Sequence, residues 1–400
     1  MKVLLVHNFY GSAAPSGENE VFEAEKALLQ ARGHEVETFT RHSDEIRNKG
    51  LPGTVQAALA TPWNPFMSRA LKQLVERVMP DVVHAHNTFP LLSPGIFHAI
   101  GKRAARVLTL HNYRLFCPAA IPLRNGRVCT DCLTACSSLP ALWHGCYRGS
   151  RLATAPLAFS VALHRMLGTW AHQVDAFITL SDFQRELMVN VGLPADKTHV
   201  KPNFYSGSPA VIPWQERGAY AVFVGRLSAE KGVASLLRAW QAWGAEAPKL
   251  HILGDGALRP MLEKMATGLP VYFSGHVPQE EVRQHLKGAS LLVLPSEWFE
   301  TFGLVVIQAA ALGTPAAVSN IGALPSIVQH GTSGIVFEPG NSESLLHQVR
   351  TAWETPGLLE RLGAGARAEF EGKYTEEANY KMLMAIYEQA IEVSKRRKSK

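Results

Sequence analysis

The stretch PSEWFETFGLVVIQAAALGTP, Pro295 to Pro315, decides how the rest of the chain is read. It begins where the apolar run SLLVLPS ends and passes through Glu300, Thr301, Phe302 and Gly303. It then enters LVVIQAAALG, an apolar segment that reads as a buried helix closed by Gly313. The next apolar run, PAAVS, follows at once. Strand, helix and strand in so short a space make a βαβ unit, and such units build parallel sheets. Glu300 stands at the mouth of the helix, where unpaired backbone N–H groups favour an anion and Gly303 permits close approach. Two readings of Glu300 are open here: a cap for the helix, or an acceptor for the hydroxyls of a bound sugar. Eight residues on, where a second carboxylate would complete a pair, the chain carries Gln308.

Outward from this stretch the same alternation fills the chain. The first half holds the runs KVLLVHNF, DVVHAH, RVLTLHN and DAFITLS; the second holds YAVFVGRL, LHILGDG, VYFSGHV, SLLVLPS, PAAVS and GIVFEPG. Amphipathic segments separate them, such as VFEAEKALLQARG, in which Val21, Ala24, Leu28 and Ala31 share a helical face. Four hundred residues exceed what one hydrophobic core supports. The expected fold class is therefore α/β, with two Rossmann-like doubly wound domains facing a central cleft and ligand sites at the strand ends. The join falls in NFYSGSPAVIPWQERGAY, which is rich in Pro, Gly and Ser and has no period. The domains are read as residues 1–204, residues 205–375, and a last helix with a basic tail, residues 376–400, able to pack on either domain.

The strand ends of the second half carry charge and glycine. VFVGRLSAEKGV sets Gly225 and Arg226 at a strand end and Lys231 at the start of the next helix, a combination suited to a diphosphate. Arg226 offers a planar fork and Lys231 a point charge, while two surface cations near a turn is the plainer reading. In ILGDGALRP, Gly254 and Gly256 permit close backbone approach to a ligand. In YFSGHVPQEEV, Ser274, Gly275 and His276 repeat the device, and the backbone of His276 and Val277 is placed to read the edge of a nucleobase.

These four segments, in this order, resemble the second domain of the retaining glycosyltransferases of family 4, which have the GT-B fold. The resemblance spans nearly the whole chain. It implies an enzyme that moves a hexose from a nucleotide diphosphate sugar, GDP-mannose or a UDP-hexose, to a glycan. In that reading Arg226 and Lys231 hold the donor diphosphate, and His276 and Val277 lie near the base. Glu300, Phe302, Gly303 and Leu304 touch sugar and phosphate. The family's second glutamate holds the ribose hydroxyls, and Gln308 departs from it. Glutamine still bonds a diol, but it lacks a charge-assisted bond of roughly 1.5–3 kcal/mol and keeps a neutral one of roughly 0.5–1.5 kcal/mol. Weaker or altered nucleotide binding is the expectation. No Asp-x-Asp occurs, so the chemistry is expected to need no metal cofactor.

The first half is expected to hold the acceptor. Gly17, in SAAPSGENEVF, lies just before a helix capped around Ser16 to Asn19 and resembles the family's glycine loop that meets the donor phosphates. His111 ends the run RVLTLHN, where the family carries a histidine beside the reacting sugar. His84, His86 and Asn87 end a neighbouring run, with a core role the simpler reading for His84. Cys117, Cys129, Cys132 and Cys146 form a candidate structural zinc set, with Cys136 and His144 as spares; unligated thiols in a loop is the other reading.

An apolar fraction of 46% and a charged fraction of 18% fit a folded chain. The net charge is +6, and Lys395, Arg396, Arg397, Lys398 and Lys400 supply five of it. The body is close to neutral, which excludes a nucleic-acid partner. The tail reads as a solvated end or as an anchor to an anionic membrane surface. LATAPLAFSVAL, Leu152 to Leu163, is too short to span a bilayer and reads either as a buried helix or as one lying in a membrane interface. The opening MKVLLVHNFYGSAAPSGENE is too short in apolar residues for a signal peptide. The expected setting is cytoplasmic, peripheral on the inner membrane face, with a lipid-linked glycan acceptor in polysaccharide or lipopolysaccharide assembly. The competing class is a catalytically silent homologue serving as a binding or scaffold subunit, favoured by Gln308 alone.

Overall fold

The computed structural model describes residues 1–11 and 17–399, with side chains as far as Arg397. The strands in chain order are β1 (Lys2–Phe9), β2 (Glu35–His42), β3 (Val82–Asn87), β4 (Ala105–Thr109), β5 (Leu123–Arg124), β6 (Arg127–Val128), β7 (Ala176–Thr179) and β8 (Thr198–Val200). They continue as β9 (Tyr220–Val224), β10 (Lys249–Leu253), β11 (Val271–Gly275), β12 (Leu291–Leu294), β13 (Ala316–Ser319) and β14 (Gly334–Phe337). The chain forms two compact units: Met1–Pro122, Cys129–Pro202 and Asn379–Lys400 make the first, and Leu123–Val128 and Asn203–Ala378 the second.

The first unit holds a six-stranded sheet in the order β2-β1-β3-β4-β7-β8, parallel throughout. The second repeats the plan as β11-β10-β9-β12-β13-β14. Each sheet winds outward in both directions from its first strand, so each has a switch point at the carboxyl ends of its central strands. Strands β3, β4, β7, β12 and β13 are buried along their whole length, as parallel strands covered on both faces must be. All ten apolar runs read from the sequence are strands. Three elements escaped that reading: the edge strand β2, whose EVETFTRH is polar and largely exposed, the short β8, and the two-residue strands of the β5–β6 hairpin.

The last helix, Glu376–Ser399, belongs to the first unit from Asn379 onward. Its Leu383, Ile386, Tyr387 and Ala390 close a core built from Val3, Leu5, Phe22, Leu29, Val82, Val107 and Ile178. Within the basic end Arg397 is tied down, because buried Asp175 draws its guanidinium in at 2.6 Å and the Gly101 carbonyl accepts from it at 3.2 Å, whereas Lys395 and Arg396 are exposed. Among the described residues no helix is long and apolar enough to cross a membrane.

Replacing Leu383 with alanine is expected to cost about 2–5 kcal/mol, because it opens a hole where the last helix meets the sheet. Urea denaturation measures it; an unmoved midpoint would detach that helix from the core.

Candidate functional site

The second sheet brings its glycine turns and charged residues to one edge. In spatial order, the strands β11, β10, β9 and β12 end at Gly275–His276, Gly254, Gly225–Arg226 and the segment leading to Glu300. The turns are knitted together by backbone bonds: Gly254 N–H donates to the Gly275 carbonyl at 2.8 Å, and Gly225 N–H to that of Leu253 at 3.0 Å. The close approach that Gly254 permits is to the chain itself. With φ at +137°, a Cβ there would lie 1.9 Å from the Gly225 carbonyl oxygen. His276 is exposed and Val277 half-buried, both between β11 and the helix Gln279–Gly288.

Lys231 and Glu300 meet across 69 residues of chain, Nζ to Oε1 at 2.5 Å. Gly232 makes this possible: its φ is +67°, and a Cβ would stand 1.8 Å from the Pro295 carbonyl oxygen. Ser296 Oγ donates to the same carboxylate oxygen at 2.8 Å, and Lys231 Nζ lies 5.6 Å from the centre of the Trp298 ring. Burial pushes the Glu300 carboxyl up, but the Lys231 charge with the bonds from Lys231, Ser296 and Trp298 outweighs it. The net shift is downward, so Glu300 is an anion. Arg226 is more than half exposed and touches Glu230 at 3.3 Å, and Ser228 also bonds Glu230.

Phe302 is buried against Tyr374, ring centres 5.9 Å apart. Gly303, φ +105°, precedes the helix Leu304–Ala311, whose first turn has no side-chain cap. Glu300 therefore does not cap that helix. Leu304 and Gln308, one turn apart, fall on its half-buried side.

In the first unit, His7–Asn8 and His86–Asn87 lie at the carboxyl ends of β1 and β3, and His111–Asn112 just beyond that of β4. His86 Nδ1 lies 3.1 Å from His111 Nε2, and His86 Nε2 lies 3.1 Å from Glu25 Oε1. His84 contacts the same oxygen at 3.0 Å and Thr109 at 2.7 Å, while Lys201 Nζ bonds Glu25 Oε2 at 2.9 Å. Burial raises the Glu25 carboxyl, yet Lys201, His84 and His86 carry it well below its ordinary value. An ionised Glu25 only accepts, so the proton in its contact with His86 sits on Nε2. Burial, with His86 and His7 nearby, holds His111 well below the usual histidine range, hence neutral.

Glu25, His84 and His86 place ligand atoms within 4.8 Å of one another, as a metal site would. The cation is already supplied, however: Lys201 occupies the second carboxylate oxygen, and a metal would stand beside an ammonium. Cys117, Cys129, Cys132 and Cys146 share one neighbourhood but are not among the convergent sets found in the described residues. Without a metal, burial and neighbouring thiols push Cys117 up to about 12 and Cys132 up to about 11. Gly17 opens the helix Gly17–Ala31, and the Ser16 cap expected before it lies outside the described residues.

Sequence reasoning missed Glu25, Lys201, His7 and Gly232. The signal was present for the histidines, since the dipeptide His-Asn closes three apolar runs. The expected apolar face of the first helix included Ala31; the observed one is Val21, Phe22, Glu25, Leu28 and Leu29, with the carboxylate in its middle.

Comparison with known proteins agrees with this geometry. The profile of Glycosyltransferase Family 4 matches residues 21–206, and that of Glycosyl transferases group 1 matches residues 208–369. A GDP-mannose-dependent alpha-(1-6)-phosphatidylinositol dimannoside mannosyltransferase of Mycobacterium tuberculosis is 37% identical, over 92% of each chain. The sulfoquinovosyl transferase SQD2 of Arabidopsis thaliana is 33% identical, over 94% of this chain and 71% of that one. Among solved structures, Anabaena HepE in complex with UDP and glucose superposes with a TM-score of 0.64 at 17% identity, over 96% of this chain and 98% of that one. The chain belongs to the group 1 glycosyltransferases and has their GT-B fold.

The buried histidines give a pH dependence. Burial, opposed by the Asn19 bond, brings His7 down to about 3; burial, opposed by Glu25, brings His84 to about 4. On acidification the unfolded chain takes up these protons near its ordinary value of about 6.5 while the folded chain does not, so stability falls below that value. Each such histidine costs roughly 1.4 kcal/mol per pH unit. Glu25 adds a loss of its own as the pH falls from its unfolded value through its folded one. The melting temperature is expected to drop steadily on going from neutral pH to pH ~5, and less steeply in His7→Phe. A flat profile would contradict the neutral cluster.

Proposed function

We propose that the protein transfers a hexose, with retention, from a nucleotide diphosphate sugar to a lipid-linked glycan in bacterial cell-surface polysaccharide synthesis. The observation that carries this reading is the ionised Glu300 held by Lys231 and Ser296 beside an uncapped helix N-terminus. Arg226, Lys231 and the N–H groups from Gly303 onward suit a diphosphate, and they stabilise its charge as the sugar leaves. Glu300 accepts hydrogen bonds from sugar hydroxyls, while His276 and Val277 lie nearest the base and Gln308 takes the ribose diol. Gly225, Gly254, Phe302 and Leu304 shape the floor of this donor surface, and the family likeness gives His111 a role in the chemistry of the sugar.

The bond from the anomeric carbon to the diphosphate oxygen breaks, and the acceptor oxygen bonds to the same carbon on the same face. The acceptor's proton passes to the departing phosphate oxygen. The relatives support the donor classes considered: the mycobacterial enzyme is GDP-mannose-dependent by name, and the Anabaena structure holds UDP and glucose. The first name also contains a phosphatidylinositol acceptor, which favours a lipid-borne one here. Gln308 favours a second reading, a silent scaffold subunit.

Calorimetric titration with GDP, UDP and ADP separates these readings. One nucleotide is expected to bind saturably, with binding lost in Arg226→Ala. Gln308→Glu is expected to tighten it about tenfold, the difference between a neutral and a charge-assisted bond. Binding of none of them, even by Gln308→Glu, would bring the scaffold forward. Replacing His111 with alanine is expected to lower kcat while leaving nucleotide affinity unchanged; equal loss in both would place His111 in donor binding instead.

A further inference from the structure

The helices Gly50–Ala60, Leu139–His144 and Arg151–Met166 lie side by side in the first unit. Arg151 Nε donates to the Trp143 carbonyl at 2.9 Å, and Ser138 Oγ to that of Ala158 at 2.7 Å. At the other end Ser160 Oγ reaches the Thr61 carbonyl and His164 Nε2 that of Pro62. Each helix turns an apolar stripe outward. Along Arg151–Met166 it consists of Leu152 (88% exposed), Phe159 (58%) and Met166 (78%), spaced seven apart and so on one line. Leu51, Val55 and Leu59 repeat the pattern at a spacing of four, and Leu139 and Trp143 do so on the short helix; all are more than half exposed. Soluble proteins scatter single exposed apolar residues, whereas three adjoining stripes mark a surface that meets something.

The three helices themselves carry no carboxylate, and the nearest ones, Asp44 beside Arg47 and Asp131 beside His144, lie outside them. Residues 46–75 and 137–174, which contain all three helices, hold no aspartate or glutamate. They hold seven cations, Arg47, Lys49, Arg69, Lys72, Arg148, Arg151 and Arg165, of which all but Arg165 are exposed. Arg151 lies over the Trp143 ring at 5.3 Å, an aromatic and a cation sharing one place. Apolar stripes on helices that carry Arg151 and the Trp143 ring but no carboxylate fit the boundary between lipid headgroups and acyl chains. A second copy of the chain fits less well, because the helices that carry the stripes hold no carboxylate to meet Arg151 across a two-fold contact.

We propose that this three-helix face docks on an anionic phospholipid surface. The inference deepens the transferase reading and rests on it for one consequence. The opposite side of the Arg151–Met166 helix, through Leu157, Ser160 and Val161, lines a pocket of ≈ 70 Å³ together with His86, His111 and Trp170. One helix thus separates the lipid from the His111 pocket, so a glycan carried on a lipid is presented to that pocket from the surface that holds its anchor.

The test is co-sedimentation of the full chain with phosphatidylcholine vesicles, with and without phosphatidylglycerol, for the wild type and for Leu152→Glu/Phe159→Glu. The wild type is expected to pellet with the anionic vesicles only, and less so as salt is raised. The double variant is expected to lose roughly tenfold or more of that partitioning, with its melting temperature and nucleotide affinity kept. A wild type that stays in the supernatant, equal pelleting of wild type and variant, or a solution dimer that the variant splits would each overturn the proposal. Nucleotide binding in lipid-free solution is read separately, so loss of this surface would leave the transferase reading standing, and the reverse.

Discussion

Every strand in both large sheets runs the same way, and a parallel sheet has one edge at which all its strands end. That constraint gathers chemistry from distant parts of the chain. It lines up His7, His86 and His111 on the first sheet, and Gly275, Gly254, Gly225 and the Glu300 segment on the second. The helices leaving those ends start at the same edge, so their N–H groups face whatever the side chains bind. Glycine appears where two such turns must touch, as at Gly254 against Gly225 and Gly232 against Pro295.

Each unit sinks a carboxylate beside this edge and matches it with a lysine. Glu25 is held by Lys201, and Glu300 by Lys231. An unpaired buried charge costs several kcal/mol, so neither lysine can be removed without exposing that cost. The two pairs differ in surroundings. Both members of the first are almost wholly buried and anchor His84, His86 and the last helix through Tyr387 and Asn379. In the second, Lys231 keeps 18% of its side chain in contact with solvent. The first pair is sealed from solvent and the second is partly open to it.

The apolar runs made the strands legible because central parallel strands are buried on both faces and must be apolar throughout. The polar edge strand β2 obeys no such demand and was invisible. The Glu300 motif was legible as a local pattern, but its tie to Lys231 crosses 69 residues, and that of Glu25 to Lys201 crosses 176. A glutamate in an apolar helix face gives no sign of its partner until the sheet brings the lysine in. The helix Arg151–Met166 was ambiguous for a similar reason: it is apolar on both sides, and only packing distinguishes the side toward Leu157 from the side carrying Phe159.

The most direct measurement is proton NMR of the purified protein mixed with GDP-mannose or with UDP-glucose, recorded from the first minutes. One donor is expected to be consumed, slowly without acceptor, with its sugar appearing first in the donor's own α configuration, and Glu300→Ala is expected to abolish this. Persistence of both donors, or first appearance of the β anomer, would contradict it.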